Sequence, residues 1–184
     1  MISTIEDIEN FINDKNFSKI FLLCGKNSFE NSGVKKLFYD SIKKKDIKIY
    51  YKISNIPNLN ELIEIIKEIK LFKPNLILAI GGGAIIDYAK IANLVDDRPD
   101  IADLIKNYSY PIKKKYTELA VIPTTAGSGA EVTSNAVMYV NGIKYSFESE
   151  LLIPDYFFLV PEFLISAPNN IKASSGFDAI AQAL

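Results

Sequence analysis

The sequence predicts an α/β protein in which a parallel sheet is covered by helices on both faces. Through the first two thirds of the chain, short apolar runs alternate with segments of helical periodicity. This order is typical of a parallel sheet with crossover helices. The apolar runs also lack a polar-apolar alternation, as expected of strands buried on both sides.

The first half of the chain contributes three strand-helix units. Apolar residues alternate with acidic ones at helical spacing in residues 3–14, and KIFLLC before Gly25 indicates a buried strand. IKIYYKI is rich in Ile and Tyr, which favour strands. The predicted elements are a helix over residues 3–14, strands over Lys19–Cys24, Ile47–Ile53 and Leu76–Ile80, a helix over Ser32–Lys45, an amphipathic helix containing Leu62, Ile65, Ile66 and Ile69, and a helix from the glycines to about Val95.

The second half begins with a fourth strand over Leu119–Ile122 and then changes pattern. Asn141-Gly142 separates two strand-like runs, which is a strong hairpin signal and predicts an antiparallel flap at the edge of the domain. One further strand is expected over Phe157–Val160, and a helix from Ala173. The sequence therefore predicts a Rossmann-like α/β domain over residues 1–165 with an antiparallel hairpin, and the start of an all-helical domain over residues 166–184. That helical pattern reaches Leu184 without a capping residue, so we expect the chain to be a piece of something longer.

Composition excludes several functions. The 184 residues carry 21 basic and 22 acidic side chains, so there is no positive excess to hold a nucleic acid. No apolar run approaches the roughly 18 residues of a membrane span, and the acidic N-terminal segment lacks the features of a signal peptide. We therefore expect a cytoplasmic protein without membrane or nucleic-acid partners. With one cysteine and no histidine, this chain alone forms no disulfide, no Ser-His-Asp triad and no His-ligated zinc site.

The stretch GGGAIIDYAK, residues 81–90, joins a predicted strand to a predicted helix. Glycines at the N-terminus of a helix let an anion approach free backbone N–H groups, as in pyrophosphate sites. The spacing is neither G-x-G-x-x-G nor that of a P-loop. A tight strand-to-helix turn without a ligand is the alternative interpretation of these residues.

A second such loop follows the fourth strand. PTTAGSGAEVT, residues 123–133, offers hydroxyl groups and two further glycines. Because ligands of doubly wound sheets bind at the carboxyl ends of strands, both loops are expected to line one crevice and to hold one anionic ligand. A plain turn remains the alternative for this loop as well.

The two stretches resemble the hallmark motifs GGGSxxDxAK and PTTAGTGSEVT of the iron-containing alcohol dehydrogenase family, and residues 173–184 are similar to its Gly-x-Asp-Ala-x-x-His-Ala-x-Glu motif. The resemblance covers the N-terminal half of a typical member. It implies a nicotinamide cofactor, NAD(P)(H), and a divalent metal, iron or zinc, held by one Asp and three His. Hydride would pass between the cofactor and a metal-bound alcohol or aldehyde, with Lewis-acid catalysis by the metal.

Carried over by position, the resemblance assigns roles to individual residues. Gly82, Gly83 and Ala84 would face the pyrophosphate, and Asp87 would lie near the central part of the cofactor. Lys144 matches a lysine near the nicotinamide and is the candidate catalytic residue. The remaining candidates for cofactor binding, on the adenosine side or at the phosphates, are Gly25, Lys26, Asn58, Thr124, Thr125 and Ser128.

Two positions depart from the family pattern. Asp178 matches the first metal ligand, but Gln182 stands where the family has a histidine, and an amide is a poor ligand for iron or zinc. An ordinary first-turn helix acid is the alternative for Asp178. At the end of the first strand, Gly25 and Lys26 replace the usual Asp, which favours NADP(H) because no carboxylate repels a 2′-phosphate. The alternative for Lys26 is a solvated loop lysine.

The resemblance leaves two functions open. GKNSFENSG, KYSFES and PDYFFLVPE look most similar to the phosphonoacetaldehyde reductase subgroup, which implies reduction of a small aldehyde that bears a phosphonate. The other hypothesis is a truncated or degenerate dinucleotide-binding module without catalytic activity. Apolar residues Ile180 and Leu184 on the last helix predict homodimers or other self-association.

Overall fold

A computed structural model describes residues 2–30, 35, 42, 44–110, 114–165 and 167–184, and confirms the α/β fold class. All five strands of the main sheet run parallel, in the order β2-β1-β3-β4-β7, and a separate antiparallel pair joins β5 to β6. The strands are β1 (Lys19–Gly25), β2 (Asp46–Lys52), β3 (Leu76–Gly81), β4 (Glu118–Pro123), β5 (Asn135–Val140), β6 (Ile143–Glu148) and β7 (Tyr156–Phe157).

Helices connect these strands in the order that the sequence predicts. The helix predicted over Ser32–Lys45 falls largely outside the described residues. Those described are α1 (Ile5–Asp14), α2 (Lys26–Glu30), α3 (Leu59–Phe72), α4 (Gly83–Ala92), α5 (Ile101–Lys106), α6 (Glu162–Ile165) and α7 (Asn169–Ala183), with one 3-10 turn over Glu150–Leu152. None of them combines the length and apolar character that crossing a membrane requires.

The central strand β1 shows why the sheet is covered on both sides. Phe21 and Leu23 point into a core formed with α3, α4, α5 and the hairpin. Ile20, Leu22 and Cys24 point the other way, into a core formed with α1 and α6. Since every one of these side chains is buried, both faces of the strand are dry, as the unbroken apolar run predicts.

The hairpin differs from the predicted edge flap. Its turn is as expected, because Asn141 and Gly142 both have positive φ, 52° and 79°, as a type I′ turn requires. However, Met138 and Val140 are buried against the core that includes α4. The hairpin is therefore part of the main core rather than a loosely attached flap.

Three element boundaries also differ from prediction. The last strand covers only Tyr156–Phe157, because the chain then leaves β4 and Leu159 pairs with the N-terminal segment through the N–H of Ser3, at 2.8 Å. Helix α4 ends at Ala92 rather than near Val95. Helix α7 begins at Asn169, directly after Pro168, and not at Ala173.

Helix α7 lies on the surface. None of its described side chains is buried, and Phe177 and Ile180 are 75% and 59% exposed. Whether this apolar surface causes self-association stays a prediction.

Candidate functional site

The loops after β3 and β4 touch at the carboxyl edge of the sheet. Gly81 pairs with Pro123 in the sheet, and the N–H of Thr124 donates to the carbonyl oxygen of Gly81 at 3.0 Å. A Cβ atom added to Gly82 would lie 3.1 Å from Oγ1 of Thr125, and one added to Gly83 would lie 2.9 Å from Oγ of Ser128. The two glycines therefore keep a narrow space open between the loops.

This space lies at the N-terminus of α4. Gly82 is the N-cap residue of the helix and makes no side-chain hydrogen bond. The first N–H groups of the helix therefore donate to no capping side chain. These groups and the positive end of the helix dipole favour an anion at this point.

The loops and α7 together enclose a crevice of about 410 Å³. A Cβ atom on Gly127 would lie 2.7 Å from the carbonyl oxygen of Ser175, so the second loop packs directly on the backbone of α7. Thr124, which is buried, faces a smaller adjoining cavity between the same loop and α7. The residues that line the crevice are Lys52, Gly82, Gly83, Ala84, Ile85, Thr125, Gly127, Ser128, Ile171, Ser174, Ser175 and Asp178.

A second cavity, of about 470 Å³, shares Gly83, Ala84, Ser128 and Asp178 with the crevice. It also brings together further predicted site residues from α4, β6 and α7, namely Asp87, Lys144 and Gln182. Residues distant in sequence thus meet around one continuous space, next to the glycine loops.

Asp87 is the most perturbed acid in this space. Burial raises its pKa to about 6, although the charges of Lys90 and Lys144 and a hydrogen bond from the backbone of Val137 act in the opposite direction. The carboxyl group of Asp87 is therefore half protonated at a pH of about 6.

Asp178 and Gln182 do not form a site for iron or zinc by themselves. The side-chain amide of Gln182 donates to Oδ2 of Asp178 at 3.3 Å. In the described ranges, no group of three or more His, Cys, Asp and Glu side chains is arranged to hold a metal ion. One carboxylate and one neutral amide are too few and too weak as donors for these metals.

Three predicted residues line none of these three cavities in the described part of the chain. Gly25 and Lys26 lie at the carboxyl end of β1, where Lys26 is exposed. Asn58 is the N-cap of α3: its side chain accepts from the N–H of Glu61 at 3.1 Å and donates to Oγ of Ser54 at 2.5 Å. These bonds give Asn58 a structural role, because its polar atoms already have partners.

The sequence interpretation missed two lysines. Lys52 ends β2 and lines the crevice, and its position at a strand's carboxyl end is a signal that could have identified it. Lys90 is buried on α4 and donates to Thr133 and Asn135. Lys90 is the last residue of the GGGAIIDYAK stretch, but the helical pattern of that stretch does not indicate that this lysine is buried.

A parallel sheet with helices on both faces and a crevice at the carboxyl ends of two adjacent strands defines a doubly wound α/β protein with a candidate ligand site at that edge. The family model of the iron-containing alcohol dehydrogenases matches residues 2–161, and the chain belongs to this family.

Individual relatives agree with this assignment. The chain is 31% identical over 134 residues to an alcohol dehydrogenase of Thermococcus barophilus, covering 70% of this chain and 35% of the relative. It superimposes on the NADH-dependent butanol dehydrogenase A of Thermotoga maritima with a TM-score of 0.86 and 25% identity, covering 97% of this chain and 46% of the other. Sulfoacetaldehyde reductase of Bifidobacterium kashiwanohense, solved with NAD+, has the same fold, with a TM-score of 0.87 and 24% identity over 100% of this chain and 49% of the other. The chain therefore spans between a third and a half of the length of these relatives.

Proposed function

We propose that this chain forms the cofactor-binding part of an oxidoreductase that transfers hydride between a nicotinamide cofactor, NAD(P)(H), and a small alcohol or aldehyde. The contact between the two glycine loops carries the proposal. A Cβ atom on Gly82 would approach the side chain of Thr125, and one on Gly83 would approach that of Ser128. Both loops therefore face one ligand-sized space at the N-terminus of α4. Family membership and the NADH-dependent butanol dehydrogenase with the same fold support a nicotinamide dinucleotide as the occupant.

In this proposal the backbone at Gly82, Gly83 and Ala84 binds the pyrophosphate, because free N–H groups and the helix dipole favour an anion there. Thr125 and Ser128 supply hydroxyl groups from the opposite wall, and Thr124 lies behind them. Asp87 lies deeper along α4, towards the second cavity, where Lys144 and Asp178 would face the nicotinamide and the substrate. The residues that the structure describes give no metal site of their own, so no step is assigned to a metal.

Two finer assignments belong to the same proposal. The exposed Lys26 after β1 and the lack of a carboxylate at Gly25 favour NADP(H), whereas the Thermotoga neighbour is named for NADH. A substrate such as phosphonoacetaldehyde carries an anionic group, and the exposed ammonium of Lys144 in the second cavity offers it a counter-charge. Comparing NADPH with NADH, and acetaldehyde with phosphonoacetaldehyde, tests both assignments.

A dinucleotide-binding module without catalysis is the second candidate. Its support is Gln182, which pairs with Asp178 where the family pattern has a histidine, in a chain that contains no histidine. Binding of cofactor without aldehyde reduction, under conditions that include added Zn²⁺ or Fe²⁺, would favour this candidate.

Titration of NADH and NADPH, followed by nicotinamide fluorescence and calorimetry, tests the proposal. Gly83→Val fills the space beside Ser128 and should abolish binding of both nucleotides. Gly176→Ala is the matched control, since a Cβ atom there meets nothing within 4 Å and α7 stays helical. Failure of the wild-type chain to bind either nucleotide, or equal binding by Gly83→Val, would overturn the proposal.

A further inference from the structure

Lys52 is a partly buried cation that lines the crevice. It is the last residue of β2, paired in register with Gly25 at the end of β1. Its side chain lines the crevice together with Gly82, Gly83 and Thr125. The cation therefore faces the same space as the N-terminus of α4, although it comes from a strand two positions away in the sheet.

The ammonium group is held by backbone carbonyls rather than by a carboxylate. It donates to the carbonyl oxygens of Ser54 and Asn55, the latter at 3.3 Å. None of the ion pairs among the described residues involves Lys52, whereas Lys48, on the same strand, pairs with Glu68. Lys52 thus brings to the crevice a positive charge that forms no ion pair among the described residues.

The carboxylate of Glu61 acts on Lys52 through its charge, but its oxygens make their hydrogen bonds elsewhere. Glu61 accepts from the N–H groups of Ile53 and Ser54, at 2.5 and 3.0 Å, and from the hydroxyl of Tyr88 at 2.9 Å. Burial lowers the pKa of Lys52, and the charge of Glu61 only partly offsets that effect. A negative ligand in the crevice would relieve the cost of burying this cation.

We propose that Lys52 binds the pyrophosphate of the dinucleotide and supplies the positive charge that the glycine loops lack. This inference depends on the proposed cofactor function. Lys52 and the backbone of Gly82 and Gly83 line the same crevice, so a phosphate bound there would contact the N–H groups of α4 and the ammonium of Lys52. Lys26, exposed after β1 and outside the lining of the crevice, is left for the 2′-phosphate of NADP(H).

The two lysines make the test specific. Lys52→Gln should weaken NADH and NADPH by the same factor, about tenfold or more, as expected for loss of a charge-assisted hydrogen bond. Lys52→Arg keeps the charge and should retain affinity within a few-fold for both nucleotides. Lys26→Gln should weaken NADPH more than NADH, and Lys67→Gln, on the exposed side of α3, is the control that should leave both affinities unchanged. Urea unfolding of each variant shows whether it has the wild-type fold, and Lys52→Arg keeps the test valid if Lys52→Gln does not fold.

Dissociation constants also need to be measured at two ionic strengths. The salt dependence of NADH binding should be smaller in Lys52→Gln than in the wild type, because one ionic contact is lost. Unchanged affinity in Lys52→Gln, or weakening of NADPH alone, would overturn the assignment to the pyrophosphate. No binding by the wild-type chain would instead overturn the cofactor function, so the two failures are distinguishable.

Discussion

The ammonium group of Lys90 lies 2.8 Å from the carbonyl oxygen of Thr133 and 3.0 Å from that of Asn135. It also donates to the hydroxyl of Thr133 at 3.2 Å. These bonds connect α4, which begins at Gly83, to the end of the second glycine-containing loop and the start of β5. Lys90 therefore helps hold the two walls of the crevice together.

Replacement of Lys90 by Met should lower the free energy of unfolding by about 2–3 kcal/mol, because two carbonyl groups in part-buried hydrogen bonds lose a charged donor. Lys67→Met, on the exposed side of α3, is the control and should change stability by less than about 0.5 kcal/mol. Urea unfolding at neutral pH measures both variants. An equal, small effect of the two substitutions would show that Lys90 does not contribute through these bonds.

Asp87→Asn should change how stability depends on pH. The folded pKa of Asp87 is raised from 3.8 to about 6, so the folded state holds this proton more tightly than the unfolded state. Its contribution to stability is present below about pH 4 and is lost as the pH rises through about 6, a change of about 3 kcal/mol. The variant should be more stable than the wild type at pH 7.5, and this advantage should disappear near pH 4. Urea unfolding at both values gives the difference, and parallel pH curves would contradict the expectation.

Much of the fold can be predicted from the sequence because the signals are local. Apolar runs such as KIFLLC identify buried strands, and Asn141-Gly142 determines the hairpin turn through backbone conformation alone. The two glycine loops were predictable as one crevice because the carboxyl ends of parallel strands meet at one edge.

The hydrogen-bond partners of Lys52 and Lys90 were not predictable in this way. Both depend on carbonyl groups that only the tertiary fold brings to them, Ser54 and Asn55 for Lys52, and Thr133 and Asn135 for Lys90. The burial of the hairpin likewise depends on the packing of β5 against α4, which no local pattern specifies.

Tyr88→Phe tests the support of the loop between β2 and α3. The hydroxyl of Tyr88 accepts from the N–H of Asn58 at 2.7 Å and donates to Glu61 at 2.9 Å. Its removal leaves a backbone N–H without this partner, so the free energy of unfolding should fall by about 1–3 kcal/mol. Tyr108→Phe, at a side chain that is 65% exposed, is the matched control and should have little effect. Thermal unfolding followed by circular dichroism compares them, and similar midpoints would argue against the Tyr88 hydroxyl as a support.

Gln182→His should create affinity for a transition metal beside Asp178. The two residues are four apart on α7, and their side chains already meet at 3.3 Å, so an imidazole at position 182 and the carboxylate lie on one face of the helix. Imidazole is a far better ligand for zinc and cobalt than a neutral amide. Calorimetry with Zn²⁺ should therefore show tighter binding by Gln182→His than by the wild type, and the gain should be lost in the double variant with Asp178→Asn. Equal zinc affinity of the wild type and Gln182→His would mean that Asp178 is not placed to act as a ligand.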